Sequence, residues 1–273
     1  MLDRPVRHAG RKPKALAPVH PNAGIEAEYR ARLDRLIGEM HRSIVWWITA
    51  QYRKKPPEMA SDESAAAGLI AEMSRLGTRW LRRFGRAADE LAAWFGQAAL
   101  KRSDAALKGI LKRAGISVEF KMTPEANDVM RATIGDQVGL IKSIASQHLT
   151  RVQGAVMRSV QTGRDIGGLT KELEDGYGIT RKRAAFLARD QNNKATASIT
   201  RVRQTALGIT QAKWIHSGGG RHPRAQHVEF SQGKRGGPVY DVSKGAFLEG
   251  VWTWPGYEIG CKCVSKSLIE GFS

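Results

Sequence analysis

Apolar side chains recur every three or four residues along two long segments, and this periodicity constrains the fold more than any other feature of the chain. The first series occupies residues 25–48 and must end before Pro56 and Pro57, because proline cannot continue a helix. The second series occupies residues 69–95 and continues less regularly to residue 113. Two amphipathic helices of this length are expected to pair as an antiparallel hairpin through their apolar faces.

The middle of the chain also has helical character. Thr123 followed by Pro124 is typical of a helix start, because proline is tolerated in the first turn. The glycines of GYGIT indicate a turn, after which Thr180 is expected to cap a long helix. These signals predict helices at residues 124–135, 137–161, 170–175 and 180–207.

The residue composition and the apolar periodicity of the sequence change at Trp214. From there the helical period disappears, and glycine, proline and aromatic residues follow one another every few positions, which is typical of short strands and tight turns. We predict strands near residues 212–216, 226–231, 238–241 and 250–254. The expected fold class is therefore mainly α, with long N-terminal helices followed by a helical linker and a small C-terminal α+β cap.

The chain is strongly basic, with 44 Lys and Arg against 26 Asp and Glu and a formal net charge of +18. Such a surface favours polyanions, meaning nucleic acid or an acidic protein surface; a basic protein without a polyanion partner is the alternative. Residues 1–22 are basic and proline-rich with little to bury, which predicts an extended arm. The N-terminus has no apolar signal core, so we expect a soluble protein made inside the cell, with no membrane partner.

The only two cysteines, Cys261 and Cys263, are separated by one residue. A disulfide across so short a loop would be badly strained, so free thiols or metal ligands are expected. Structural zinc needs four nitrogen or sulfur ligands. His227 and the two cysteines supply three of them, His222 is the expected fourth, and His216 is a further candidate. Cys-x-Cys is not the usual Cys-x₂-Cys spacing, which favours the interpretation that both thiols are small buried side chains and that His227 hydrogen-bonds within the cap. We therefore expect no cofactor, with zinc as the alternative.

Catalysis is a second interpretation of the same region. A hydrolase or nuclease would use His227 as a base and Arg224 to stabilise phosphate charge. Most nucleases also hold a metal ion by carboxylates, and Glu229, Asp241 and Glu249 do not have the spacing of a carboxylate metal motif. We therefore expect no enzymatic activity.

The third interpretation is architectural. The large aromatic side chains suited to the core of a small domain are Trp214, Trp252, Trp254 and Tyr257. Pro255 and Gly256 predict a tight turn. Arg224 either contacts DNA or braces a loop carbonyl. In this interpretation the C-terminal residues close a small folded cap.

Three segments follow a glycine-rich turn and a short helix in a specific order: GITRKRAAFLARDQ (178–191), GITQAKWIHSGGGRHPRAQHVEFSQGK (208–234) and WPGYEIGCKC (254–263). Their order and spacing resemble the phage Mu head morphogenesis protein F family, the minor head proteins of tailed phages, and we assign residues 163–273 to such a domain. The family-motif positions, implied to be structural, are Arg189, Trp214, Arg224, His227, Pro255, Gly256, Cys261 and Cys263. Gly260 and Lys262 depart from the residues usual at their positions, which are Asn and Arg, and SGGG lacks a neighbouring acid.

The resemblance implies a structural virion role. Such proteins act beside the portal during head assembly and enter the head in few copies. It implies a minor head protein that supports head assembly and DNA packaging or ejection. Its location would be the phage head near the portal, and the host cytoplasm during assembly. Expected partners are the portal protein, packaged double-stranded DNA, and the major capsid or scaffold protein. Residues 23–162 would form a helical docking domain. The alternatives are a metal-dependent nuclease or hydrolase associated with packaging, and a stand-alone DNA-binding protein.

DNA contact inside a head is expected to use phosphates and not base edges, because such a protein meets every sequence of the genome. In the arm, the residues expected to contact phosphate are Arg4, Arg7, Arg11, Lys12 and Lys14. In the long helix they are Arg181, Lys182, Arg183, Arg201 and Arg203. The alternative for the helix is a solvated face, or one that pairs with acidic residues of the portal.

Overall fold

The structure, a computed structural model, describes residues 13–54, 63–162, 165–219 and 222–269. The chain forms two compact units, and each is assembled from separate segments. We call the segments Glu26–Phe95 and Ile134–Ala188 the helical unit. We call the segments Met1–Ile25, Gly96–Thr133 and Arg189–Ser273 the mixed unit. The sequence-based division into an arm, a helical domain and a C-terminal domain stays a prediction, because units defined by contacts need not follow the limits of a sequence family.

The described residues are mainly helical, with a small α+β region toward the C-terminus, which confirms the predicted fold class. The helices are α1 (Ala23–Lys54), α2 (Glu63–Arg113), α3 (Pro124–Gln161), α4 (Ile166–Ala206) and α5 (Ala225–Ser231). The strands are β1 (Lys14–Ala15), β2 (Gln211–Ile215), β3 (Val239–Asp241), β4 (Ala246–Leu248), β5 (Val251–Thr253) and β6 (Val264–Ile269). Among the described residues, no helix combines the length and the apolar character needed to cross a bilayer.

The apolar periodicity correctly predicts the packing of α1 and α2 in the helical unit. Every member of the second series is buried, namely Leu69, Met73, Leu76, Trp80, Phe84, Ala88, Leu91 and Phe95. Tyr29 near the start of α1 lies 4.8 Å from the ring of Phe95, whereas Ser43 accepts a hydrogen bond from Trp80. The contacts advance along α1 as they go back along α2, so the two helices form the predicted antiparallel hairpin.

Helices α3 and α4 complete a four-helix arrangement within the helical unit. The hydroxyl of Tyr29 donates to Gln137 at 2.6 Å, and the hydroxyl of Tyr52 donates to Ser159 at 2.8 Å, so α1 and α3 run in the same direction. Helix α4 runs against both of them, because Arg181 pairs with Asp34 while Glu174 pairs with His41 further along α1. The two buried tyrosine hydrogen bonds fix which helix faces meet, because each buried partner needs the other to satisfy it.

Two predicted helix breaks are absent. Residues 124–135 and 137–161 belong to the single helix α3, which Pro124 begins and Thr123 caps by accepting from the Ala126 amide at 3.2 Å. Residues 170–175 and 180–207 likewise belong to α4, whose first turn is capped by Asp165 through the amides of two glycines. The glycines of GYGIT therefore lie inside a helix, because a glycine lowers helix stability by about 1 kcal/mol and does not forbid the conformation.

A four-stranded antiparallel sheet organises the mixed unit, in the order β1-β6-β2-β3. Strands β4 and β5 form a separate hairpin. The strand predicted at residues 226–231 is wrong: this segment is the helix α5, which buries His227 and Phe230 at a spacing of three residues. The sequence analysis does not predict strand β6, although β6 pairs with two neighbours. Its central residues, SKS, are polar and interrupt the apolar pattern that would indicate a strand.

The predicted arm has more to bury than its composition indicates. Lys14 and Ala15 pair with β6, and Leu16 and Val19 are buried in the core of the mixed unit. The expectation that residues 1–22 bury little is therefore wrong for Leu16 and Val19. Residues 1–12 of the arm lie outside the described residues.

Two buried histidines, His41 and His148, lie near each other in the helical unit, and each has its own polar partner. His41 Nε2 lies 3.0 Å from Glu174, and the ring of His41 stacks on Tyr177 at 4.3 Å. His148 Nδ1 lies 2.9 Å from the Thr180 hydroxyl, which itself donates to the carbonyl of Gly176. Because the hydroxyl's only proton is donated to Gly176, the hydroxyl must accept from His148. The neutral imidazole of His148 therefore carries its proton on Nδ1. Burial lowers the pKa of His148 to about 4, and the charges of His41 and Arg151 act in the same direction.

Neutral His148 makes the stability of the protein pH-dependent. An unfolded chain protonates the imidazole near pH 6.5, so this contribution is present above that pH and is lost as the pH falls toward the folded-state pKa of about 4. We expect the free energy of unfolding to fall by about 2–3 kcal/mol from this residue between pH 7 and 4.5. Urea denaturation of His148→Gln should show a decline smaller by that amount. The exposed His20→Gln is the control, and an equal change in both variants would contradict the assignment.

Candidate metal centre

Three side chains from two separate elements meet in the mixed unit. His227 lies on α5, and Cys261 and Cys263 lie in the turn before β6. The Nδ1 atom of His227 is 3.6 Å from the sulfur of Cys261 and 4.0 Å from the sulfur of Cys263. All three side chains are buried, and their ligand atoms lie within 4.8 Å of one another.

These distances are close to those between the ligands of one tetrahedral metal ion. With Zn–S of about 2.3 Å and Zn–N of about 2.0 Å, neighbouring ligand atoms lie about 3.5–3.8 Å apart. The cysteines are free thiols, as expected, and the single intervening residue does not prevent their sulfurs from reaching one point. His227, Cys261 and Cys263 therefore form a candidate metal site with one nitrogen and two sulfur donors.

The two thiols influence each other's pKa. The interaction with Cys263 lowers the pKa of Cys261, and the same interaction raises the pKa of Cys263. Burial raises both pKa values, and a hydrogen bond with His227 lowers that of Cys261 further. The lowered pKa of Cys261 favours its thiolate, which is the form of cysteine that binds metals.

A cavity of about 50 Å³ lies beside the three ligand atoms. His216 and His222 line it together with the ligands, but neither imidazole is within the cluster of three. His222 is not part of that cluster, and its role as the fourth ligand stays a prediction. The structure brings together three of the four predicted ligands.

Trp214 packs against the candidate metal site and belongs to the hydrophobic core of the mixed unit. It is fully buried, and its ring lies 4.9 Å from His227, 5.8 Å from Phe230 and 6.0 Å from Tyr240. The prediction of a core position is confirmed for Trp214, and it is wrong for Trp252, which is 58% exposed. It is also wrong for Tyr257, which is 48% exposed. Trp254 is partly buried, and its indole N–H donates to the Val242 carbonyl at 2.9 Å.

The turn that carries the cysteines is held by side chains that the sequence did not reveal. Asp190 on α4 accepts a hydrogen bond from the Gly260 amide at 2.5 Å, and Asn193 donates to the Cys261 carbonyl at 3.0 Å. Both side chains are buried. The run DQNN (190–193), buried although polar and placed inside a long helix, is the signal that could have identified them.

Arg224 braces the same turn. Its guanidinium donates to the Ile259 carbonyl at 3.0 Å and pairs with Glu249 at 3.3 Å. This is the loop-bracing role considered from the sequence, and it leaves the guanidinium engaged within the protein. Lys262 donates to the Gly219 carbonyl at 2.6 Å, which ties the turn to the segment after β2.

The carboxylates considered for catalysis do not converge on the cluster of His227 and the cysteines. Glu229 pairs with Arg235 at 2.6 Å, and Glu249 pairs with Arg224. Asp241 accepts from the Ser243 hydroxyl and from the amides of Ser243 and Lys244, and these hydrogen bonds lower its pKa. Each of these carboxylates thus has a local structural partner.

The structure separates the residues predicted to contact DNA. Arg4, Arg7, Arg11 and Lys12 lie outside the described residues, Lys14 is exposed on β1, and Lys182 is exposed on α4. Arg181 pairs with Asp34 and Arg183 donates to Ser143, both within the helical unit. Arg201 stacks on the ring of Trp254 at 4.3 Å, and Arg189 is exposed on α4.

Arg203 is a correction to the DNA-binding prediction. It is buried, with two hydrogen bonds of 2.8 Å to Asp104 and one of 2.8 Å to the carbonyl of Lys121. A guanidinium held on three sides inside the core cannot reach a phosphate. Its charge stabilises the mixed unit by joining α4 to α2 and to the segment before α3.

Comparisons with known proteins found a distant relative. An uncharacterised protein of Haemophilus influenzae is 28% identical over 155 residues, which cover 57% of this chain and 33% of the relative. The match thus spans about a third of that relative's length. No protein-family profile matches the chain, and no solved structure matches it.

Gly256 is needed beside the cysteines for a steric reason as well as a conformational one. Its φ is +83°, and a Cβ there would lie 3.0 Å from the carbonyl oxygen of Cys263. Gly236 has a φ of +82°, and a Cβ there would meet no atom within 4 Å. It therefore serves as a matched control for backbone strain alone.

We expect Gly236→Ala to lower the free energy of unfolding by roughly 1–2 kcal/mol, the cost of a left-handed alanine. Gly256→Ala should cost a further 1–3 kcal/mol or so, because the added methyl group overpacks the turn. Urea denaturation followed by circular dichroism measures both variants. Equal losses of unfolding free energy in the two variants would mean that a methyl group at position 256 does not clash with the Cys263 carbonyl.

Proposed function

We propose that this chain is a phage minor head protein whose C-terminal domain has a structural role in the virion. One observation carries the proposal: residues of the family-like motif that are far apart in sequence converge on one buried centre. Trp214, His227, Cys261 and Cys263 contact one another there, and Arg224 braces the turn. This arrangement supports an architectural role, because the motif residues build a core and its supports.

We also propose that the centre binds zinc. One imidazole and two cysteine sulfurs are donors that zinc prefers. When bound, zinc would cross-link α5 to the turn before β6. His227, Cys261 and Cys263 would hold it, and the fourth ligand would come from the cavity side, where His216 and His222 stand. In a domain with so small a core, such a cross-link would contribute directly to folding stability.

In this proposal the basic residues and the helices serve assembly. The helical domain (residues 23–162) would dock on the portal, with the major capsid or scaffold protein as a further contact. The arm and the exposed basic residues of α4 would contact phosphates of packaged double-stranded DNA. The protein would occupy the phage head near the portal, after assembly in the host cytoplasm, and would catalyse no reaction.

A metal-dependent hydrolase associated with packaging is the second candidate, and the open cavity favours it. Catalytic zinc sites combine three protein ligands with a position open to water or substrate. The pairing of Arg224 with Glu249 and the Ile259 carbonyl weighs against it, because the nearest guanidinium is already engaged. Turnover of a phosphodiester by the purified protein, lost in His227→Ala, would favour this candidate over the structural one.

Metal analysis tests the zinc proposal. We expect purified protein to hold one zinc ion per chain, and a chelator should lower its melting temperature, because an ion bound only to the folded state stabilises it by mass action. His227→Ala should lose the zinc and the response to chelator, whereas the exposed His20→Ala should keep both. Zinc retained in His227→Ala, or a wild-type protein indifferent to chelator, would refute it.

Sedimentation tests the assembly role. The purified chain, mixed with portal rings of the phage that encodes it, is expected to co-sediment with them, and mature particles should contain it in few copies by quantitative mass spectrometry. A folded protein that never sediments with portal rings and is absent from particles would contradict the proposal. Major capsid protein alone serves as the control for non-specific pelleting.

A further inference from the structure

Helix α2 carries a dense arginine stripe within the helical unit. Between Glu72 and Asp89 the chain has no acidic residue. The same stretch contains Arg75, Arg79, Arg82, Arg83 and Arg86. Residues four apart on a helix share a face and are separated by about 6 Å along its axis. The adjoining face is buried through Leu76, Trp80 and Phe84, so the arginines form a continuous cationic edge.

Helix α1 supplies the second wall of a groove along this edge. The groove has a volume of about 570 Å³ and is lined by Glu39, Arg42, Ser43, Trp47, Arg79, Trp80 and Arg83. Three of these seven side chains are arginines and two are tryptophans. The single acid, Glu39, is paired with Arg83. The lining therefore keeps a net positive charge after that pair is counted.

The arginines of the groove are held in place before any partner arrives. Arg79 lies over the ring of Trp47 at 5.9 Å and donates to the Ser43 hydroxyl at 3.1 Å. Arg83 lies over the ring of Trp80 at 4.9 Å. Stacking on an aromatic face orients a planar guanidinium and leaves its outer N–H groups available, so less conformational entropy is lost when an anion binds.

An exposed tryptophan stands next to the groove. Trp46 is 62% exposed, and its ring meets Trp47 edge-on at 4.7 Å. The faces of Trp47 and Trp80 are covered by arginines, but most of the surface of Trp46 is open to solvent. An apolar ring of this size at the rim of a cationic groove is a stacking platform of the kind that single-stranded nucleic-acid-binding proteins use.

We propose that the groove between α1 and α2, flanked by Trp46, binds single-stranded nucleic acid. Arg42 and Arg79 contact phosphates of the strand, and Trp46 stacks on an unpaired base. Duplex DNA fits less well, because its bases are already stacked and offer no face to the tryptophan. An acidic peptide would engage the arginines but would leave Trp46 without an aromatic partner. The site uses none of the arginines and lysines of the arm or of α4 that were considered for DNA contact, and it does not rest on the proposed virion role.

Salt-dependent binding tests the phosphate contacts. The full chain is titrated against a fluorescently labelled 15-nucleotide oligothymidylate at several salt concentrations. The double variant Arg42→Gln with Arg79→Gln should bind about tenfold more weakly, and the slope of log affinity against log salt should shrink by about 1.4, at about 0.7 for each lost phosphate contact. Arg113→Gln with Arg131→Gln, which changes two exposed arginines elsewhere by the same charge, should keep both quantities near the wild-type values.

Substitution of the aromatic platform tests stacking separately from charge. Trp46→Leu should weaken oligothymidylate binding about tenfold and abolish most of the quenching of tryptophan fluorescence. Trp46→Phe should restore most of the affinity, because phenylalanine keeps an aromatic face. Trp252→Leu is the matched control, since Trp252 is 58% exposed but lies on β5 in the mixed unit.

Several outcomes would overturn the proposal. Equal losses in both arginine pairs would show attraction by net charge alone. Equal affinity for a 15-base-pair duplex, or binding unaffected by Trp46→Leu, would exclude a single-strand site. Polyglutamate that binds as tightly and displaces the oligonucleotide would assign the groove to an acidic protein partner. Circular dichroism of each variant verifies that the fold is retained.

Discussion

Two buried polar side chains on α4 hold the turn that presents the sulfurs, and the rest of the candidate metal centre depends on them. Asp190 accepts from the Gly260 amide and Asn193 donates to the Cys261 carbonyl. A buried carboxylate is tolerated only when its hydrogen bonds and its charge are satisfied, and Lys194 supplies the counter-charge at 3.3 Å. These hydrogen bonds fix the position of the turn relative to α4, and they therefore also fix the positions of the two cysteine sulfurs.

The basic charge of the chain is divided between internal and external uses. Arg203 and Arg224 are engaged inside the mixed unit, where each satisfies backbone carbonyls and a carboxylate. The arginines of α2 remain at the surface, and stacking on tryptophans orients two of them. Net charge alone could not distinguish these groups, because the location of acidic partners and carbonyl oxygens decides which cations stay available to a polyanion.

Polar groups also specify the helical unit. Its helices bury apolar stripes that would tolerate several registers, but the Tyr29–Gln137 and Tyr52–Ser159 hydrogen bonds are satisfied in one register only. His148 adds a pH-sensitive element, because its imidazole is buried next to His41 and Arg151. Apolar burial thus supplies most of the driving force in this unit, while the polar pairs determine which faces meet.

Local sequence patterns were sufficient to predict the long amphipathic helices, the fold class, and three metal-ligand candidates. Helical periodicity and donor chemistry are local properties, so residues 69–95 could be assigned to a buried stripe from the sequence. The placement of the GYGIT glycines inside α4, the helical conformation of residues 225–231 and the burial of Arg203 could be seen in the folded structure alone. Each of these outcomes depends on partners distant in sequence, such as Asp104 for Arg203 and the Trp214 ring for His227. Apolar periodicity and composition do not identify such long-range partners, because burial and pairing depend on the whole fold.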